Sequence, residues 1–123
     1  MANLLTTKER NDALPPLGET GWGAVPDRDA IRKIWKFKNF SEAWAFMSRA
    51  ALAAEKLNHH PEWSNTYNVV DVTLSTHDAH GLTELDTRLA RKMDSYAQDA
   101  DVQRDHSEPV SCLCEIGAGN RLA

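Results

Sequence analysis

The chain has 123 residues, 41% of them hydrophobic and 26% charged, with 14 lysines and arginines against 18 aspartates and glutamates and a formal net charge of −4. That length fits one small globular domain; no apolar run approaches the roughly 20 residues of a spanning helix, and the acidic balance offers no overall positive field to a phosphate backbone. Two enzymatic domains and a membrane protein are excluded, and nucleic acid is not an expected ligand. The opening MANLLTTKERND has no charged-then-apolar signal pattern, and both cysteines, Cys112 and Cys114, fall in the last dozen residues. A cytoplasmic, reducing location and a fold without disulfides are expected.

Thr6-x-x-Glu9 has the form of a capping box and opens a short first helix, which the Pro15-Pro16 pair is expected to close, because proline lacks an N–H and restricts its predecessor. Residues 21–25 and 30–37 flank the turn-forming Pro26-Asp27-Arg28-Asp29 and read as a β-hairpin with Ile31, Trp35 and Phe37 on one face. The strongest helical pattern follows. Ala43, Met47, Ala50, Ala54 and Leu57 recur at spacings of four and three, with Phe46 and Ala53 widening the stripe, and predict a helix over about 42–58 capped by Ser41.

His60 precedes Pro61, so the His59-His60 pair stands where that helix gives way to a strand. Residues 63–67 and 69–76 predict a second strand pair, with Val70, Val72 and Leu74 on one face and Asp71, Thr73 and Ser75 on the other. His77 shares the polar face, at a turn through Asp78-Ala79-His80-Gly81. Thr83 then caps a last helix whose Leu82, Leu85, Leu89, Met93 and Ala97 form an apolar stripe, with Asp86 near its positive end. The order α-β-β-α-β-β-α predicts an α+β fold, a four-stranded antiparallel sheet with helices on one face.

Residues 1–97 are expected to form this domain, and residues 98–123 an acidic, disordered extension, since their scattered apolar residues follow no period and cannot offset the entropy of ordering. Within that extension Cys112-x-Cys114 lacks the second ligand pair that a metal site would need.

Chemistry concentrates in Glu55-Lys56-Leu57-Asn58-His59-His60-Pro61-Glu62-Trp63 and in Ser75-Thr76-His77-Asp78. Imidazole titrates near neutral pH, so two or three histidines at element ends suit paired acid and base roles. Zinc is disfavoured because adjacent histidines rarely converge on one ion and no HExxH spacing exists. No G-x-S-x-G elbow or glycine-rich phosphate loop is present either. The bland alternative is that the imidazoles cap the helix and satisfy backbone groups. Glu55, four residues before His59 on the same helix face, is placed to orient that ring, or is a solvated surface charge. Trp63 and Tyr67 either line a pocket or pack in the core, Asp86 is a possible orienter behind the histidines, and His80 reads as a surface residue.

EKLNHHPEW, Tyr67, the segment THDxxGLT containing His77, and Asp86 closely resemble the pterin-4a-carbinolamine dehydratase family over roughly residues 5–97, including Gly21-Trp22 and Arg28-Asp29-Ala30-Ile31. The resemblance implies a hydro-lyase that converts 4a-hydroxytetrahydrobiopterin, the product left by aromatic amino-acid hydroxylases, to quinonoid dihydropterin, in tetrahydrobiopterin recycling. It carries proton transfer and substrate contact onto His59, His60 and His77 with Glu55 beside them, and pterin contact onto Asn58, Ser75, Thr76 and Asp78. In such a site His60 would mainly hold the pterin, while His59 and His77 act on the C4a hydroxyl. The partners implied are a small pterin, functional coupling to a hydroxylase and a second copy of the chain, as homodimer or homotetramer; no cofactor and no metal are implied. Asn58 departs from the aspartate many members carry, which removes a charge beside His59. The alternative reading on the same fold is a non-catalytic binding, dimerisation or assembly role.

Overall fold

The computed structural model describes residues 2–107. The chain runs α1 (Thr7–Thr20), β1 (Gly23–Ala24), β2 (Ile31–Lys36), α2 (Phe40–Leu57), β3 (Glu62–Thr66), β4 (Val69–Leu74), a 3-10 turn at His77–Ala79, α3 (Glu84–Ala97) and β5 (Asp101–Gln103). The sheet is antiparallel throughout, in the order β1-β2-β4-β3, with β5 also pairing to β2. Ile31 stands opposite Leu74 and Trp35 opposite Val70, so the apolar sides of the two central strands coincide. Onto that side α2 brings Ala43, Phe46, Ala50 and Ala54, and α3 brings Leu89, Ala90, Met93 and Ala97. Small residues on α2 let the helix lie close over the aromatic layer, where Trp35 meets Trp22 edge-on at 5.6 Å between ring centroids and Phe46 at 4.8 Å. The α+β fold with helices over one face of an antiparallel sheet is as expected.

Three local expectations change. α1 does not stop at Pro15-Pro16 but continues to Thr20. The prolines sit on its exposed side, and the carbonyls of Asn11 and Asp12 that lose their donors belong to exposed residues, where water serves them. Both ends are well closed: Thr6 and Glu9 form a reciprocal capping box, and Gly21, at φ 117°, lets Trp22 N–H reach back to Leu17 O at 3.0 Å. α2 is capped by Asn39, whose side chain accepts from Glu42 N–H at 2.9 Å, so Ser41 lies inside the first turn. The sheet also has a fifth strand. Asp101–Gln103 pairs with Ile34–Lys36 of β2, so part of the segment expected to be a disordered tail is built into the sheet. Three residues are too few to show a period in sequence. Arg104 bonds the carbonyls of Gly18 and Glu19 at the end of α1, where a cation meets the negative pole of the helix. Cys112 and Cys114 lie outside the described residues.

One buried charge ties the layers. Lys33 falls on the core-facing side of β2, its side chain 4% exposed, with Nζ 2.7 Å from Asp94 Oδ1 and 4.7 Å from the centroid of the Trp35 ring. Burial pushes the Lys33 ammonium below its usual pKa, and Asp94 only partly restores it. Asp94 also accepts from Trp22 Nε1 and Thr20 Oγ1, so it keeps two donors without the lysine. Breaking such a pair from the acidic side strands a buried cation, which costs about 3 kcal/mol. Asp94→Ala is therefore expected to destabilise by about that amount, and Lys33→Met by about 1 kcal/mol or less. Urea unfolding of the two variants checks the asymmetry; equal losses would show that the lysine is not the group left stranded.

Candidate active site

The site begins where α2 ends. Asn58 adopts the left-handed conformation (φ 53°, ψ 44°), its N–H bonds Glu55 O at 3.1 Å, and His59 N–H bonds Ala54 O at 3.0 Å. This double closure reverses the chain and throws His59 inward. Asparagine tolerates the left-handed region better than most residues, so Asn58 is explained by the turn it makes as well as by its place at the rim.

Across from His59, the first turn of α3 presents Asp86. Its side chain is fully buried, His59 is 7% exposed, and His59 Nε2 lies 2.6 Å from Asp86 Oδ1. The other carboxylate oxygen accepts from Thr83 N–H at 2.9 Å and from Thr76 Oγ1 at 2.7 Å. The Asp86 carboxylate only accepts, so it takes the single Thr76 hydroxyl proton, and the Thr83 hydroxyl, 2.6 Å from Thr76 Oγ1, is then the donor between the two threonines while its oxygen accepts from Leu85 N–H. Three donors, His59 Nε2, Thr76 Oγ1 and Thr83 N–H, are thus aimed at one carboxylate. With Asp86 accepting, His59 Nε2 carries its proton, and a neutral ring then holds its lone pair on Nδ1. That atom has no protein partner among the described residues and is not sealed off, so it opens on the cleft.

The cleft has a volume of about 710 Å³ and is lined by Asn58, His59, His60, Ser75, Thr76, His77 and Asp78, with Leu57 and Leu85 as apolar wall. Every pterin-contact residue carried over by resemblance, and all three histidines, therefore face one space. His77 and Asp78 belong to the 3-10 turn that follows β4, held by mutual backbone bonds between Thr76 and Gly81. Glu55 behaves differently from expectation. It is exposed and bonds His60 Nε2 at 2.9 Å, so it orients His60 and not His59, whose carboxylate partner is Asp86. The helix-face argument placed Glu55 by spacing along an unbroken helix, and the left-handed turn at Asn58 redirects the two histidines. Trp63 packs against the core, and Tyr67 sits at the hairpin between β3 and β4, at the opposite end of β4 from Ser75; neither lines the cleft. His80 opens on an adjoining recess of about 330 Å³ that shares His77, Ser75, Thr76 and Glu62 with the main cleft.

Sequence reasoning missed Thr83 as part of the site, although it named the residue as a cap. The spacing Thr83-x-x-Asp86 is that of a capping box, and the structure forms it. That spacing was the signal that Asp86 is held in place, though not that His59 would complete its coordination. Arg28 and Glu62, which the sequence gives only as members of longer segments, form a forked ion pair at 3.0 and 2.8 Å beside the smaller recess.

The family model described as pterin 4 alpha carbinolamine dehydratase matches residues 3–96. Proteins of Brucella ovis and Brucella canis, provisionally named pterin-4-alpha-carbinolamine dehydratase, are 57% identical over 95 residues, covering 77% of this chain and 96% of theirs. A crystal structure of a Brucella melitensis protein described as a transcriptional coactivator/pterin dehydratase is 57% identical, covers 77% of this chain and 99% of that one, and superposes with a TM-score of 0.72. A pterin dehydratase-like protein described as a RuBisCO assembly factor in the alpha-carboxysome is 22% identical, with a TM-score of 0.55 over 63% of this chain and 90% of its own, a likeness of fold alone. The match to the family model spans α1, α2, α3 up to Tyr96, the four strands β1 to β4 and every cleft residue from Leu57 to Leu85, and on that extent the chain belongs to the pterin 4 alpha carbinolamine dehydratase family.

Proposed function

We propose that the chain is a hydro-lyase that converts 4a-hydroxytetrahydrobiopterin to quinonoid dihydropterin and water by histidine acid–base catalysis. The observation that carries this is the arrangement of His59, with Nε2 tied to buried Asp86 and Nδ1 open to a cleft that His60 and His77 also face.

Hydroxide leaves C4a poorly unless its oxygen is protonated as the C4a–O bond breaks. The N5 lone pair forms the C4a=N5 bond, and the proton on N5 must go to a base. A hydroxyl and a proton leave as water, and the balance needs no electron acceptor and no covalent intermediate. His59, held as the Nε2–H tautomer, has Nδ1 free to take the N5 proton. In this reading His77, exposed on its turn, protonates the departing hydroxyl, and His60, bonded to Glu55, holds the ring; that both line the cleft supports it. Asn58, Ser75, Thr76 and Asp78 supply polar contacts to the pterin edge. The substrate's origin makes an aromatic amino-acid hydroxylase the functional partner, and the edge of β3, unpaired among the described residues, together with the exposed, stacked Phe40 and Trp44 on α2 supports self-association as a dimer or tetramer. Among the described residues no helix is long and apolar enough to cross a membrane.

Stopped-flow dehydration of a synthetic 4a-carbinolamine tests the reading. The protein is expected to accelerate the reaction well beyond the spontaneous rate at neutral pH. Equal rates with and without protein would turn the reading toward a binding or assembly role on the same fold.

A further inference from the structure

α1 contributes no residue to the cleft, yet one of its side chains is linked through Asp29 to the segment that carries His77. Arg10 lays its guanidinium on Asp29 as a fork, Nη1 to Oδ1 at 2.8 Å and Nη2 to Oδ2 at 2.9 Å, while its Nε donates to Leu5 O at 3.0 Å. Asp29 then holds both ends of residues 75–82. Its backbone carbonyl accepts from Ser75 Oγ at 3.0 Å, and its Oδ2 accepts from Leu82 N–H at 3.0 Å. The circuit closes through Leu5 N–H, which bonds Leu82 O at 2.9 Å.

Gly81 has a reason to lack a side chain here. A Cβ at that position would run into the Asp29 carboxylate and the Leu4 side chain, closer than real Cβ atoms come to any neighbour. The backbone of the turn is therefore in intimate contact with the carboxylate that Arg10 orients. The Arg10 fork, more than any other contact, holds the Asp29 carboxyl below the usual carboxylate range, with Leu82 N–H assisting against burial. As an ion pair this contact contributes little to stability, since the two side chains are 30% and 34% exposed. Its consequence is geometric: a planar guanidinium fixes the orientation of a carboxylate in a way a single-point cation does not.

We propose that Arg10 and Asp29 are positioning residues for the cleft, a clamp by which α1 sets where His77 stands relative to His59. The clamp acts on the working site assigned above and so rests on that assignment for its catalytic consequence. Asp86 anchors His59 from α3; Asp29 anchors the turn of His77 from α1 and the β1–β2 loop. Two carboxylates, each loaded with donors, thus fix the two imidazoles from separate parts of the fold.

Two variants test the clamp in the full chain by different physical routes. Arg10→Lys keeps the charge and the apolar stem but removes the fork, and Gly81→Ala displaces the Asp29 carboxylate without changing any charge. Histidine ring resonances of each variant are compared with the parent by NMR, alongside kcat and KM for carbinolamine dehydration. The expected result in both is a displaced His77 signal, an unmoved His59 signal and a kcat lowered about 10-fold with KM little changed, since small misplacements of a reacting group are costly. A His77 signal unmoved in either folded variant overturns the clamp, and so does a His59 signal that moves with it, because that is general loosening. The lysine variant, the milder of the two, decides the matter if the alanine variant does not fold. Should the parent protein show no dehydration at all, the ring resonances still decide whether Arg10 and Asp29 set the position of His77, so the two failures are told apart.

Discussion

Asp86→Asn is expected to lower carbinolamine turnover by at least about 10²-fold, the lower end of what positioned acid–base groups contribute. The carboxylate accepts from three donors, His59 Nε2, Thr76 Oγ1 and Thr83 N–H. An asparagine of the same shape has one acceptor oxygen and an NH₂ group that only donates. Two donors, Thr76 and Thr83, converge where Oδ2 now lies, so the amide oxygen takes that side and the NH₂ turns toward His59. Nε2 of His59 must then accept, its proton moves to Nδ1, and the atom that faced the cleft with a lone pair faces it as a donor. Fold and volume are nearly preserved while the ring's role is inverted. Asp86→Ala is the harsher variant: it leaves Thr83 N–H, the Thr76 hydroxyl and His59 Nε2 without their buried acceptor, at a cost of about 1–3 kcal/mol for each donor that finds no other partner. Melting temperature and single-turnover rate should separate the two variants. Asp86→Asn with parental turnover would show that the tautomer of His59 does not matter and would remove the base role from it.

What the sequence showed and hid follows from the range of the forces involved. α2 was visible because Ala43, Met47, Ala50, Ala54 and Leu57 repeat over four turns, and β4 because Val70, Val72 and Leu74 alternate with polar neighbours. The Pro15-Pro16 rule failed because it prices lost backbone bonds as if they were buried; on an exposed face with both helix ends capped, the cost is small. Ser41 lost the cap to Asn39, an equally good capping residue two positions earlier. β5 could not be seen, because its order comes from β2 and from Val102 packing over Gly21, not from its own three residues. For the site, clustering of His59, His60 and His77 was legible from their places at element ends, and the resemblance supplied the contacts around them. Asp86 is legible as a possible orienter behind the histidines, but not as the partner of His59 in particular, since 27 residues separate them and neither local period nor spacing couples the end of α2 to the start of α3. Glu55 stands beside a histidine, as the resemblance implies, but it is His60 and not the His59 that helix spacing selects.

The double variant His59→Ala/His77→Ala is expected to lose 10²- to 10⁴-fold in turnover, about the range general acid–base catalysis supplies, while remaining folded. The two positions differ in what their removal does to the structure, and the difference makes the experiment informative. His77 is exposed on a turn held by the Thr76–Gly81 backbone pairing and by Asp29, so trimming it disturbs little. His59 is buried, and trimming it deprives Asp86 of one of three donors; Thr76 and Thr83 remain, so the loss is about 1–3 kcal/mol. Circular dichroism and unfolding of each variant therefore bound the structural share of any lost activity. If one ring takes the N5 proton while the other protonates the leaving oxygen, both act on the same bond-breaking step. Solvent then replaces one function at a time in the single variants and must replace both in the double. The double variant should fall toward the spontaneous rate. A folded double variant with parental turnover would mean that neither ring moves a proton in this cleft.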